Sequence, residues 1–166
     1  MLGCSVEKKA RKAFNLGKYE TAIDLYAKSL AANPRDGRAS YFIAESYRLS
    51  NRVKESEPFY QKAGGPGIDK DTVKFYYAQA LKSNGKYEEA RQHFNDLMAN
   101  ATEQKMKERA RVELEGMDYI NKVASSENFY KVKNLELVNS PNAEYAPVYL
   151  NGELYITAAR ATGKVY

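Results

Sequence analysis

The sequence is poor in the side chains that most often carry catalysis or bind metal ions. Its 166 residues include one cysteine and one histidine, Cys4 and His93. A single cysteine cannot form an internal disulfide, and neither side chain has a second thiol or imidazole with which to build a metal cluster. A catalytic triad or a Cys–His pair is not supported either, since the two residues lie far apart and His93 is typical of an exposed or cross-helix histidine. We therefore expect no enzyme, no cofactor and no metal site.

Long apolar runs and clustered charges are missing as well. No apolar run approaches the ~20 residues that a helix needs to span a bilayer. Lys and Arg number 26 against 21 Asp and Glu, so the formal net charge is +5. This mild excess is spread along the chain without a cluster, and no recognised nucleic-acid-binding motif is present. The sequence thus indicates neither a membrane-spanning segment nor a nucleic-acid partner.

A repeat of 34 residues organises the chain over roughly residues 5–98. The segment GKYETA at 17–22 returns as GKYEEA at 85–90, two periods later, and residues 51–56 are a weaker copy halfway between them. A turn residue, a small residue before it and an aromatic residue after it recur in this register. They are Gly17, Asn51 and Gly85; Ala10, Ala44 and Ala78; and Tyr26, Tyr60 and Phe94.

This period and these offsets resemble the tetratricopeptide (TPR) repeat family, whose unit is a pair of antiparallel helices. The resemblance implies a mainly α fold, a TPR helical-repeat solenoid of about three helix pairs plus a capping helix. The turn residues would adopt a left-handed conformation, which glycine and asparagine tolerate. The aromatic residues would fill the seam to the next repeat. The small residues would let the two helices of a pair approach closely, by facing Ala22, Ser56 and Ala90.

The predicted helices span 5–16, 20–32, 38–49, 53–63, 71–83 and 87–99. A further helix from 103 to about 124 covers the open end of the stack with Met106, Ala110, Leu114, Met117 and Ile120. Pro58 should shorten or kink the fourth helix. The glycine-rich segment 64–67 lacks the Lys-Ser/Thr and the preceding strand of a P-loop. We interpret it as a turn that joins repeats two and three loosely.

Function in such a scaffold is expected on the concave face, which the first helix of each pair lines. By register with the family, the exposed residues of this face include Tyr41, Glu45, Arg48, Phe75, Gln79 and Lys82. Aromatic side chains beside charged ones suit an extended peptide or a partner's helix. The alternative is that Tyr41 and Phe75 only pack between helices. If the face binds a partner, replacing Glu45 or Arg48 should weaken binding and leave stability unchanged.

The helical period stops at about residue 125. Residues 129–138 are typical of extended chain, and the segments 146–150 and 153–158 flank Asn151-Gly152, a strong signal for a short β-hairpin. The run 139–160 resembles the first blade of Tol-B-type β-propellers, which implies that a propeller starts here and continues beyond Tyr166. TPR repeats followed by such a blade are similar to the amino-terminal half of OmpA-family envelope lipoproteins of Bacteroidota, including a type IX secretion component.

Leu2-Gly3-Cys4 resembles the end of a lipobox, in which the cysteine receives a lipid. The combined resemblance implies a lipoprotein anchor remnant at 1–4, a TPR solenoid at 5–124, and a linker with the first propeller strands, truncated, at 125–166. It implies a scaffold tethered through Cys4 at the periplasmic face of the outer membrane. Its protein partners would be secretion-system or envelope components, and peptidoglycan would be reached only through a domain outside this chain.

Two alternatives remain open. The first is a soluble cytoplasmic TPR adaptor, chaperone-like, that captures a peptide in its groove while Cys4 is an unreactive terminal thiol. Glu45, at a central position of the groove, argues there against a purely basic clamp for carboxylates. The second is a regulator in which the hairpin folds back into the groove and blocks it.

Overall fold

Seven helices follow one another in the described residues of the first unit. The computed structural model describes residues 3–124 and 144–158, and the chain divides into two units, Met1–Ser125 and Ser126–Tyr166. The helices are α1 Gly3–Asn15, α2 Tyr19–Ala32, α3 Gly37–Leu49, α4 Val53–Tyr60, α5 Lys70–Ser83, α6 Tyr87–Asn100 and α7 Gln104–Ala124. Helices α1/α2, α3/α4 and α5/α6 are the three predicted pairs, and α7 is the predicted capping helix. The predicted boundaries coincide with these or differ by at most three residues.

The same turn ends the first helix of every pair. Gly17, Asn51 and Gly85 have φ angles of 70°, 61° and 78°, in the left-handed region, as the period predicts. One hydrogen bond closes each turn: the amide after the left-handed residue reaches back to the carbonyl five residues earlier. These bonds are Lys18 N to Ala13 O at 3.0 Å, Arg52 N to Tyr47 O at 2.9 Å and Lys86 N to Leu81 O at 2.9 Å. The turn thereby satisfies carbonyl groups that the end of a helix leaves without partners.

Small residues lie where the two helices of a pair come closest. Ala10, Ala44, Ala78, Ala22, Ser56 and Ala90 are all fully buried, which agrees with the prediction. Two of the predicted aromatic residues, Tyr26 and Tyr60, fill the seams between repeats, whereas the ring of Phe94 contacts Phe75 of its own helix pair. Tyr26 stacks on Phe42 of α3 with ring centroids 5.2 Å apart, and Tyr60 stacks on Tyr76 of α5 at 6.1 Å. Each seam is therefore an aromatic contact between neighbouring repeats.

Aspartates begin two of the first helices. The Asp36 carboxylate accepts hydrogen bonds from the amides of Arg38 and Ala39 at 3.1 and 3.0 Å, at the start of α3. The Asp69 carboxylate accepts one from the amide of Thr72 at 2.7 Å, at the start of α5. The hydrogen bonding with Thr72 lowers the pKa of Asp69. Both are N-caps, which explains why these helices begin where they do.

Helix α7 covers the last repeat. Met106, Ala110, Leu114 and Met117 are buried against α5 and α6, as predicted. Ile120 is 52% exposed, so its assignment to the buried side is wrong. Ile120 lines a surface pocket with Tyr87 and Glu88 at the start of α6, which leaves about half of its side chain in contact with solvent.

Helix α4 is the irregular element. It has 8 residues where α2 and α6 have 14 each, and it ends two residues after Pro58, which confirms the predicted shortening. Proline has no N–H to donate to the carbonyl four residues earlier, which belongs to Lys54. That carbonyl instead accepts from the side-chain amide of Asn84 at 3.0 Å. The Asn84 amide also donates to the Glu57 carboxylate at 2.6 Å. The third repeat therefore supplies the hydrogen-bond donor that α4 of the second repeat lacks.

The loop after α4 is tied to the start of α3. The Gly64 amide donates to the Gly37 carbonyl at 3.0 Å. A Cβ atom on Gly37 would come within 2.8 Å of the Gly64 carbonyl oxygen, so only glycine permits this approach. From the sequence, the glycine-rich segment 64–67 is interpreted as a loose joint. The structure instead fixes this segment at its first residue, Gly64, through the hydrogen bond to Gly37.

The described residues of the second unit form an antiparallel hairpin of β1 Glu144–Leu150 and β2 Glu153–Ala158. Asn151 and Gly152 have φ angles of 52° and 85°, the signature of a type I′ turn, which confirms the predicted hairpin. The register shifts between Tyr145 and Val148, a β-bulge that contains Pro147. Proline is tolerated there because a bulge residue need not donate to the ladder. The predicted extended segment 129–138 lies outside the described residues, and the propeller stays a prediction.

Replacing Gly37 tests whether the pinned loop stabilises the fold. We expect Gly37→Ala to lower the free energy of unfolding by about 1–3 kcal/mol, because the new methyl group displaces the loop backbone. The measurement is urea denaturation followed by circular dichroism. The matched control is Gly116→Ala on α7, where a Cβ meets no neighbour within 4 Å and a gain of about 0.5–1 kcal/mol is expected. Equal midpoints for Gly37→Ala and the wild type would contradict this account.

Candidate functional site

Arginine–aromatic contacts join the first helices of the pairs and α7 along one face, which we call the inner face. In each contact a guanidinium lies above a ring of a neighbouring first helix, close enough for a cation–π interaction. From guanidinium carbon to ring centroid, Arg11 of α1 lies 4.3 Å from Phe42 of α3, Arg48 of α3 lies 4.1 Å from Tyr76 of α5, and Arg109 of α7 lies 4.0 Å from Phe75 of α5. The inner face is thus lined by three stacked guanidinium groups.

Glu45 lies beneath this face. It is 6% exposed, so the expectation that it is an exposed residue of the groove is wrong. Its carboxylate accepts from Arg48 Nε at 3.0 Å and Nη2 at 2.6 Å, and from the hydroxyl of Tyr60 on α4. Burial, together with Glu45, raises the pKa of Tyr60, and the hydrogen bond with Glu45 raises the pKa of Arg48. Glu45 is covered because side chains of two helices converge on it.

Phe75 is also buried, at 2% exposure, so its assignment to the exposed groove is wrong. It packs edge-on against Phe94 with ring centroids 5.6 Å apart, and the Arg109 guanidinium covers it from the other helix. The alternative, packing between helices, describes Phe75 correctly. Tyr41 is half-buried and makes an edge contact with Phe42 at 5.2 Å. Burial, reinforced by Glu45, raises the pKa of Tyr41.

Gln79 and Lys82 meet a carboxylate of the capping helix. The Gln79 amide donates to Glu113 Oε1 at 2.9 Å, and the Lys82 ammonium forms a salt bridge with Glu113 Oε2. Both side chains are half-buried. Of the six residues assigned to the groove, Tyr41 and Arg48 therefore lie at its centre and Gln79 and Lys82 at the α7 end.

Three inner-face residues were missed at the sequence level, although the period marks them. Arg11 precedes Glu45 by 34 residues, Arg109 follows Phe75 by 34, and Glu113 follows Gln79 by 34. Extending the repeat register into α1 and α7 would have found all three. In the described part of the chain, neither Arg11 nor Arg109 forms a salt bridge, whereas Arg48 and Lys82 each have a glutamate partner. The cations without carboxylate partners thus lie at the two ends of the face.

The single histidine packs between helices. His93 of α6 makes an edge contact with Tyr77 of α5, with ring centroids 5.0 Å apart. Burial, reinforced by Lys74, lowers its pKa. Among the described residues, no group of three or more His, Cys, Asp or Glu side chains is placed to hold a metal ion. None of the described helices combines the length and apolar composition needed to cross a membrane.

One family model matches part of the helical unit. Residues 7–67 match the family model described as tetratricopeptide repeat. The seven described helices accordingly form a TPR-like helical repeat, followed by the two-stranded hairpin. No curated protein sequence matches this chain.

Solved structures share this fold. The type III secretion translocator chaperone SycD of Yersinia enterocolitica is 19% identical, with a TM-score of 0.57, covering 71% of this chain and 84% of SycD. The Sgt2 TPR domain of Aspergillus fumigatus is 15% identical, with a TM-score of 0.58, and the match covers 81% of this chain and 93% of the Sgt2 domain. The first TPR of Spaghetti (RPAP3), bound to the HSP90 peptide SRMEEVD, is 22% identical, with a TM-score of 0.54. This match covers 75% of this chain and 94% of the RPAP3 chain. At these identities the likeness concerns the fold, and the envelope-lipoprotein resemblance stays a prediction.

Removing Glu45 tests its structural role. We expect Glu45→Ala to lower the free energy of unfolding by about 3 kcal/mol, because Arg48 and Tyr60 lose their shared acceptor in a buried site. Arg48→Ala should lower the free energy of unfolding by less, since Arg48 is half-exposed. The loss in the double variant should be smaller than the sum of the losses in the two single variants. Urea denaturation of the four proteins gives this coupling. Unchanged stability of Glu45→Ala, as the sequence-based hypothesis holds, would show that the buried pair does not stabilise the fold.

Proposed function

We propose that this chain is a non-enzymatic protein-interaction scaffold whose inner face binds an extended acidic segment of a partner protein. The observation that carries the proposal is the row of stacked guanidinium groups, of which Arg11 and Arg109 have no carboxylate partner among the described residues. A guanidinium that lies on a ring keeps its N–H edge free to donate, and two parallel N–H groups match the geometry of a carboxylate. The ring already orders the arginine side chain before a ligand arrives, which lowers the entropic cost of binding.

The surroundings of Glu45 support an acidic ligand. From the sequence alone, a glutamate at the centre of the groove argues against a purely basic clamp for carboxylates. In the structure, Glu45 is buried and its charge is neutralised by Arg48, so it opposes an incoming carboxylate only weakly. The half-buried Tyr41 lies beside these groups and offers a hydroxyl and a ring edge to a peptide.

The similar structures are consistent with this function. SycD is described as a translocator chaperone, and the RPAP3 repeat is bound to a peptide whose sequence, SRMEEVD, contains three acidic residues. TPR folds serve many partners, so the fold supports a protein-binding role while the choice of an acidic segment rests on the guanidinium groups of this chain.

A peptide library displayed on phage tests the proposal. Selection on the wild-type protein should enrich peptides rich in Asp and Glu, and their affinities can be measured by fluorescence anisotropy. We expect the double variant Arg11→Glu/Arg109→Glu to bind them at least about tenfold more weakly, because both guanidinium groups are replaced by groups of the same charge as the ligand. The matched control, Lys28→Glu/Lys54→Glu, makes the same change of charge at exposed positions of α2 and α4 and should bind within about twofold of wild type.

Two outcomes would overturn the acidic-segment proposal. One is enrichment of peptides without acidic residues, and the other is equal weakening by the inner-face and control variants. Circular dichroism and urea denaturation establish that both double variants are folded before binding is compared.

We further propose that the scaffold is an envelope lipoprotein, tethered through Cys4 at the periplasmic face of the outer membrane. Leu2-Gly3-Cys4 and the order of helical repeat and β segment support this proposal, through the resemblance to OmpA-family lipoproteins. The inner face would then hold a secretion-system or envelope protein, and peptidoglycan would be bound only by regions outside this chain. A cytoplasmic adaptor with the same inner face is the alternative.

Intact mass of the protein purified from its native membranes distinguishes these settings. We expect a diacyl or triacyl modification on Cys4, a mature chain that begins at Cys4, and residues beyond Tyr166. A Cys4→Ala variant should lose the lipid and leave the membrane fraction. An unmodified chain that begins at Met1 would overturn the tether and favour the adaptor.

A further inference from the structure

A cavity of about 290 Å³ opens between the second and third repeats, and none of the inner-face cations lines it. Its walls come from the end of α4, the glycine-rich loop, α5 and α6. They are lined by Tyr60, Gln61, Ala63, Gly64, Ile68, Lys70, Val73, Lys74, Tyr77 and His93. This volume is near the lower limit of small-molecule pockets, so the cavity suits one large side chain better than a whole ligand of drug size.

The cavity arises where α4 is short. Helix α4 lacks six residues that α2 and α6 have, which is about 9 Å of helix. In the repeat register, Leu30 of α2 and Met98 of α6 correspond to Gly64. The second repeat therefore has no side chain at the position where the first repeat has the half-buried Leu30 and the third has Met98, which is 41% exposed. The space that such a residue and its helix turns would fill is left open beside Tyr60.

The walls are held in place without a ligand. The Gly64 amide is bonded to the Gly37 carbonyl at 3.0 Å, and the Ile68 amide to the Gly65 carbonyl at 3.2 Å. The Tyr60 ring is fixed by its stack on a ring of α5 and its hydrogen bond to Glu45. A preformed cavity binds without the cost of ordering its own loop.

The chemistry of the opening differs from that of the walls. Tyr60, Val73 and Tyr77 supply apolar surface, whereas lysines lie around it. Lys74 is paired with Asp96, and Lys70 is exposed and forms no salt bridge within the described residues. An apolar group therefore fits inside, and a negative charge beside it is favoured by Lys70.

We propose that this cavity is a socket for one aromatic or large aliphatic side chain of a partner protein, recognised together with an acidic residue next to it in the partner's sequence. The inserted side chain takes the place of the apolar residue that the second repeat lacks, and Lys70 pairs with the neighbouring carboxylate. The socket lies on different residues from the inner face, so it does not depend on the function proposed there.

Peptide titrations followed by ¹H–¹⁵N NMR test the socket. The protein used is Arg11→Glu/Arg109→Glu, in which the inner face no longer competes for acidic peptides. Ac-Glu-Phe-Glu-NH₂ should shift the amide signals of Gly64, Val73, Tyr77 and His93. Ac-Glu-Ala-Glu-NH₂ should bind at least about tenfold more weakly, because it has no ring to bury.

A filling substitution separates the socket from other surfaces. At Gly64 a Cβ meets no atom within 4 Å, and the φ angle lies outside the left-handed region, so Gly64→Leu is tolerated by the backbone. We expect this variant to unfold no earlier than its parent and to bind the phenylalanine peptide at least about tenfold more weakly, since the leucine occupies the cavity. The matched control is Gly116→Leu on α7, which should leave the affinity unchanged.

Charge reversal tests the acidic neighbour. Lys70→Glu should weaken binding of Ac-Glu-Phe-Glu-NH₂ by about fivefold and strengthen binding of Ac-Lys-Phe-Lys-NH₂. Three results would overturn the proposal. The first is a set of signal shifts that lie away from the socket, and the second is a folded Gly64→Leu variant that binds the phenylalanine peptide like its parent. The third is an equal affinity of Ac-Glu-Phe-Glu-NH₂ and Ac-Lys-Phe-Lys-NH₂ for the protein that retains Lys70.

Discussion

The left-handed turn at the end of each first helix is the constraint on which the rest of the helical unit depends. Gly17, Asn51 and Gly85 adopt the same backbone conformation, and an equivalent hydrogen bond closes each turn. The second helix of every pair therefore leaves its turn in the same direction. That direction brings the small residues of the two helices together. Close approach within a pair then leaves Tyr26 and Tyr60 facing the next repeat, where they form the seams.

The second repeat departs from this regularity, and other repeats compensate for it. Pro58 leaves the Lys54 carbonyl without its helical donor, and Asn84 of the third repeat supplies one. Helix α4 ends early, and the loop that follows is held by Gly37 at the start of the same repeat. The hydrogen bond to Gly37 holds the loop in place, so the loop does not collapse into the space beside Tyr60 and a preformed cavity remains there.

The sequence predicts local features well because they depend on residues close in the chain. The turns, the helix boundaries, the shortening at Pro58 and the Asn151-Gly152 hairpin all follow from the conformational preferences of a few neighbouring residues. Burial on the inner face depends on partners from other repeats. Glu45 is covered by Tyr60 and Arg48, and the period gives the register of these residues without showing that their side chains converge.

Internal carboxylates decide where the charge of a ligand can act on the inner face. Glu45 neutralises Arg48, and Glu113 neutralises Lys82, so a carboxylate that approaches either cation must also approach a glutamate. Arg11 and Arg109 have no such partner among the described residues, and each is held in position by a ring. In the proposed binding mode, an acidic segment would therefore be attracted most strongly at α1 and α7, the first and last helices of the unit. A ligand that gains from both ends must extend along the whole face, which favours a stretched segment over a single charged residue.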